Sequence, residues 1–128
     1  HAVGTTAWLK ALGRRYGDGD GMVRPGKTLQ VLVGTVLVLL FLHTLEIIVW
    51  AWALLVMLPA GELASFEEAV YFSFVTFTTL GYGDITLTEN WRLLSGIEAL
   101  NGIMLVGWST AMLFAVVQRT WQGLARRG

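Results

Sequence analysis

SFEEAVYFSFVTFTTLGYGD, residues 65–84, is the stretch that decides how this chain folds. Ser65 is placed to cap a helix, and Glu68 three residues on completes a capping box. Glu67 adds negative charge where a helix start is positive. The aromatic run that follows predicts a helix over 65–77, about three turns long. It is too short to cross a bilayer, which takes about 20 residues. Residues 78–84 then form a loop around Gly81 and Gly83.

Two apolar stretches flank this element. Residues 29–58 are interrupted only by Gln30, Thr35, His43, Thr44 and Glu46, and Pro59 and Gly61 end them. Residues 91–118 carry Ser95, Glu98, Asn101, Ser109 and Thr110. Each is long enough to span a membrane with some tilt. A short helix and loop between two spanning helices make a re-entrant hairpin. Non-helical backbone survives at membrane depth only where protein or a water-filled path covers it. The loop therefore has to sit inside an assembly that one two-helix chain cannot supply.

Composition agrees. Of 128 residues, 55% are hydrophobic and 14% charged, against about 25% charged in a soluble domain. The formal net charge of +0 gives no case for a nucleic-acid partner, and the absence of cysteine excludes disulfides and thiolate metal sites. No secretory signal peptide is expected in the first residues. Lys10, Arg14, Arg15, Arg24 and Lys27 precede the first span, Arg119, Arg126 and Arg127 follow the second, and only Arg92 lies between them. This bias predicts cytoplasmic termini. Glu62, Glu67, Glu68, Asp84 and Glu89 would then make an acidic outer mouth that concentrates cations.

The expected organisation is a cytoplasmic segment over 1–28, a membrane domain over 29–118 and a short cytoplasmic tail over 119–128. Within 1–28, Trp8, Leu9 and Leu12 interleave with Lys10, Arg14 and Arg15. The pattern reads either as an amphipathic helix lying on the inner leaflet or as a disordered basic tail. Asp18 and Asp20 begin like a calcium loop but lack the later carboxylates, so they read as linker.

Rings of backbone carbonyls can replace a potassium ion's hydration shell. Gly81 and Gly83 permit the backbone angles that turn successive carbonyls to one side. Residues 78–84, Thr-Thr-Leu-Gly-Tyr-Gly-Asp, together with their setting, resemble the potassium channel family, specifically its two-transmembrane pore module, over roughly residues 29–118. The resemblance implies potassium ions held by the carbonyls of Thr79, Leu80, Gly81 and Tyr82 and the Thr79 hydroxyl, with Gly83 completing the filter. It also implies a homotetramer in the cell membrane, passive conduction and no cofactor beyond those ions. Four copies close a filter around one axis; one copy cannot. No protein partner beyond the chain's own copies is legible. The fold class expected is an all-α membrane protein: two transmembrane helices (29–58, 91–118), a re-entrant helix (65–77) and a filter loop (78–84), assembled as a tetramer.

Leu80 departs from the commoner Val or Ile. Where several relatives carry a carboxylate that binds the filter aspartate, this chain has Val75. Thr78 and Asp84 flank the filter, and Tyr71 or Trp91 is the expected brace for Asp84. His43, Glu46, Glu98 and Asn101 form a candidate polar network within the membrane. It reads as a packing tie, a pH-sensitive switch or, through His43 and Glu46, a metal site. Gly102 and Gly107 are candidate hinges of the second span, Gly102 being the first choice that the resemblance implies, or points of close packing. No voltage sensor or cytoplasmic ligand domain is expected in residues 1–128. The rival readings are a weakly selective cation channel, a potassium transporter subunit and an intramembrane metalloenzyme on His43, Glu46 and Glu98.

Overall fold

The computed structural model describes residues 1–17 and 25–125, and the side chains of these except at positions 25 and 123–125. The described residues contain four α-helices and no strand: α1 Ala2–Tyr16, α2 Thr28–Met57, α3 Phe66–Phe77 and α4 Arg92–Ala125. A 3-10 turn, Pro25–Lys27, leads into α2. The Asp18–Asp20 linker lies outside the described residues, as do Arg24, Arg126 and Arg127.

α2 has 30 residues, about 45 Å at 1.5 Å per residue, and exceeds a hydrocarbon core of about 30 Å. Its mean hydropathy reaches 2.4, and that of Arg92–Gln122 in α4 reaches 1.8. Only 22% of each apolar window is buried within the chain, so neither helix is the covered core of a soluble fold. Leu37, Phe41, Val49 and Trp52 of α2 and Leu100, Ile103 and Met104 of α4 are exposed. Such surfaces need lipid or further protein around them.

The chain divides into two compact units, His43–Gly107 and His1–Leu42 with Trp108–Gly128. The first unit holds α3. Its core joins Ala51, Leu54 and Leu58 of α2 to Ala69 and Phe72 of α3, with Leu63 and Leu87 closing it. Ala69 and Phe72 lie three apart and share a helical face. The start of α3 is fixed locally. Ser65 Oγ accepts the Glu68 N–H at 3.1 Å. The Glu68 carboxylate reaches back to the Ala64 N–H at 2.6 Å, one residue further than the reciprocal bond of a standard box. Glu62 accepts the Thr88 N–H at 3.0 Å and also the Thr88 hydroxyl. That ties the turn after α2 to the segment before α4.

In the second unit α1 runs antiparallel beside α2. Gly4 meets Leu42, Trp8 meets Thr35, and Leu12 clusters with Val31 and with Val116 of α4. Trp8 Nε1 donates to Thr35 Oγ1 at 3.0 Å, and Thr35 donates onward to the Val31 carbonyl at 2.7 Å. The side chain of Leu42 leaves no space for a Cβ at Gly4. A helix therefore forms within residues 1–28, but it lies lengthwise along α2, its contacts set by small residues at 4 and 34 as much as by its apolar stripe. The second long helix does not end at 118 as expected: α4 continues through Ala125. No proline interrupts residues 119–125, and Thr120 is buried with its hydroxyl on the Val117 carbonyl.

Ser65→Ala should destabilise the protein by about 1 kcal/mol, the usual worth of an N-cap, while Ser65→Asp should retain stability. Thermal midpoints of the detergent-solubilised protein would check both.

Candidate functional site

The site is the loop on the C-terminal end of α3. A helix ends with four carbonyls lacking intrahelical partners, and this loop folds back onto them. Thr78 N–H and Thr78 Oγ1 both donate to the Phe74 carbonyl, at 3.2 and 2.7 Å. The Val75 carbonyl accepts from Leu80 N at 2.9 Å and Gly81 N at 3.2 Å, and the Thr76 carbonyl accepts from Thr79 N at 2.9 Å. The loop's amides are thereby directed toward α3.

Every second residue then has positive φ: Thr79 at 59°, Gly81 at 57° and Gly83 at 76°. Glycine takes this region freely. Threonine, β-branched, does so at a cost of roughly 1–3 kcal/mol and only where its surroundings fix it. The bonds at Val75 and Thr76 bracket Thr79 and do so. Alternating backbone handedness swings successive peptide planes the same way, so consecutive carbonyls need not alternate sides as they do in a strand. Among the described residues, no hydrogen bond engages the carbonyls of Thr79, Leu80, Gly81, Tyr82 or Gly83. Five consecutive acceptors are thus left for a ligand that accepts oxygen donors, the chemistry of a dehydrated cation.

Tyr71 Oη donates to Asp84 Oδ2 at 2.7 Å and closes the far end of the loop. This bond is the main cause holding the Asp84 carboxyl below its ordinary range and the Tyr71 phenol above its own. Glu62 is likewise lowered by its two bonds from Thr88. Trp91 makes no bond to Asp84; it packs at the rim of the unit's core, and its N–H goes to the Thr88 carbonyl at 2.9 Å. Val75 is buried beneath the loop. Leu80 and Tyr82 are 55% and 67% exposed. A hollow of about 740 Å³ is lined by Thr79, Gly81 and Gly83 of the loop with Val75, Leu87 and Ala99.

The four polar residues expected as one network lie in three places. His43 Nδ1 and Glu46 Oε2 pair at 3.1 Å, and the His43 ring packs on Phe77 with centroids 6.0 Å apart. Asn101 Oδ1 accepts Trp50 Nε1 at 3.3 Å. Glu98 of α4 and Ser73 of α3 are fully buried near one another, and among the described residues neither carboxylate oxygen has a hydrogen-bond partner other than Ser73. Glu98 does not join His43 and Glu46 in a metal-sized cluster. The candidate hinges also separate. A Cβ at Gly102 would strike the Phe77 carbonyl, so the helix backbone packs directly on the end of α3; Gly107 has open space.

Two features lay beyond sequence reading. Threonine gives no signal for positive φ, and the Glu62–Thr88 tie joins residues 26 apart. Ser73 beside Glu98 had a weak signal, since both fall on apolar faces of predicted helices.

Two apolar helices of spanning length, with a short capped helix and a carbonyl-bearing loop between them, define a membrane protein of re-entrant-loop architecture. The profile of a family described as "Ion channel" matches residues 42–119, well over half of the chain. The chain belongs to this ion channel family. No curated protein and no solved structure gives a match.

Gly102→Ala should cost about 1–3 kcal/mol through overpacking against Phe77, and Gly107→Ala, in open space, should gain up to about 1 kcal/mol; thermal midpoints compare them. For Tyr71→Phe the pH dependence is specific. The lowered carboxyl contributes stability above the ordinary carboxylate pKa of about 3.9, lost as pH falls through its depressed value. The raised phenol contributes below about 10, lost as pH rises through its elevated value. Wild type should therefore exceed Tyr71→Phe by a constant margin between about pH 4 and 10, with the two converging outside that window. Equal midpoints at neutral pH would remove the bond from loop support.

Proposed function

We propose that the chain forms a homotetrameric channel that conducts potassium selectively and passively, with residues 78–84 as its selectivity filter. The observation that carries this reading is the row of five carbonyls without hydrogen-bond partners among the described residues, set on a backbone whose handedness alternates at Thr79, Gly81 and Gly83. Potassium ions would lie between carbonyls of Thr79, Leu80, Gly81 and Tyr82, with the Thr79 hydroxyl at the inner end. One chain supplies one wall of such a path. The exposed side chains of Leu80 and Tyr82 support a neighbouring copy against the loop, and four copies would close the ring. The C-terminal end of α3 would direct its negative dipole toward a cation below the filter.

The basic bias, eight residues on the termini side against Arg92, supports cytoplasmic termini in the cell membrane. Asp84, Glu67, Glu68 and Glu89 would then line the outer approach. Conduction breaks no covalent bond, and we assign no enzymatic step and no cofactor other than the conducted ion. For bending of the inner helix, Gly107 is the freer position, because Gly102 is held against Phe77.

Protein reconstituted in liposomes with a potassium gradient should pass potassium, be blocked by barium and reverse near the potassium potential in mixed sodium and potassium. Gly81→Ala, which places a side chain at φ 57°, should abolish flux. Equal permeation of sodium would replace this reading with that of a weakly selective cation channel.

A further inference from the structure

Within the unit of His1–Leu42 and Trp108–Gly128, a groove of about 300 Å³ runs between α1 and α4. Leu9 lies on the α1 side. On α4 the lining follows one helical stripe, from Trp108 through Ala111, Ala115 and Val116 to Arg119. The alanines leave room between the two bulky ends. From Trp108 to Arg119 is about 16 Å at 1.5 Å per residue, roughly half of a 30 Å hydrocarbon core and so the depth of one leaflet. The volume lies at the small end for ligand pockets, which start near about 300 Å³, and suits one alkyl chain.

Charge identifies the occupant further. The described residues of this unit include Lys10, Arg14, Arg15, Lys27 and Arg119, and no aspartate or glutamate. Arg119 is exposed, and no ion pair among the described residues engages it. A trough that is apolar along its length and cationic at one end complements an anionic amphiphile. A polypeptide segment would carry unpaired backbone groups into this slot, and a free anion would leave the apolar length unused.

We propose that this groove binds an anionic phospholipid of the leaflet on the side of the chain termini, its acyl chain along Ala111 and Ala115 and its phosphate on Arg119. The lipid would then be a structural link between α1 and α4. This inference is independent of the ion conducted.

Trp108 reports on the site. The full chain, and a Trp108→Phe variant whose spectrum is subtracted, are reconstituted in phosphatidylcholine vesicles containing a minor share of phosphatidylglycerol. One or the other lipid carries brominated acyl chains, which quench an indole on contact. Brominated phosphatidylglycerol should quench Trp108 several-fold more, mole for mole, than brominated phosphatidylcholine. Arg119→Gln, a change at an exposed position, should bring that ratio to one, and Ala111→Leu should lower quenching by both lipids. Arg15→Gln, which removes the same charge outside the groove, should leave the ratio above one. Equal quenching by the two lipids in the unmodified chain would overturn the proposal. So would absence of quenching by either, as when a second copy covers the groove. Loss of the preference in inorganic phosphate would assign the site to a soluble anion instead.

Discussion

A backbone carbonyl at membrane depth must find a partner, and the rest of this structure is arranged around five that have none among the described residues. An unpaired polar group in hydrocarbon costs several kcal/mol. The segment from Thr79 to Gly83 is therefore stable only where water, an ion or another copy faces it. The amides of Thr79, Leu80 and Gly81 face the opposite problem and solve it locally, through the terminal carbonyls of α3 at Val75 and Thr76. The helix thus does two things at once. It presents a fixed set of acceptors to the loop's N–H groups, and by engaging them it leaves the loop's own acceptors unopposed.

That division explains why α3 is held so firmly at both ends. Its start is capped by Ser65 and by the carboxylate of Glu68. Its apolar face packs into the core made with Leu54 and Leu58. Its last carbonyl, on Phe77, lies against the backbone of α4 at Gly102, and the Phe77 ring meets His43 of α2. The strained φ of Thr79 persists because the residues beneath it cannot move. Three hydrogen bonds of about 0.5–1.5 kcal/mol each are comparable with a strain of about 1–3 kcal/mol. The loop's conformation is thus a property of α3 and its packing as much as of the glycines.

The features legible in the sequence are those whose physics is local. The cap at Ser65 needs only Glu68 three residues on, and the spans of α2 and α4 follow from unbroken apolar length. The glycine positions 81 and 83 announce their backbone angles because few other residues take them. The rest depends on contacts between distant parts of the chain. Asp84 could have been held by Tyr71 or Trp91, and only the return of the loop along α3 brings Tyr71 to 2.7 Å. His43, Glu46, Glu98 and Asn101 read as one network in the sequence, yet side-chain direction sends them to three different places: His43 and Glu46 pair, Asn101 meets Trp50, and Glu98 is buried near Ser73. The orientation of α1 turned on Gly4 and Gly34, whose missing side chains admit Leu42 and Trp8. Such an absence has no periodicity to read. The end of α4 was misplaced for a simpler reason: polar residues after 118 looked like a tail, but polarity does not end a helix when nothing in it breaks one.

The two glycines of α4 show how one residue type serves opposite ends. At Gly102 the lack of a Cβ is a matter of distance. The helix comes close enough to the Phe77 carbonyl that the two backbones touch, and movement of α4 there must carry the end of α3 with it. At Gly107 nothing lies within contact distance, so the lack of a Cβ matters only for backbone freedom, worth roughly 1 kcal/mol against alanine in a helix. Rigid coupling at the first position and local freedom five residues later divide α4 into a part that belongs to the loop's support and a part able to bend without disturbing it. Bending at Gly102 would reach the carbonyl row through Phe77, whereas bending at Gly107 leaves the α3 contact intact.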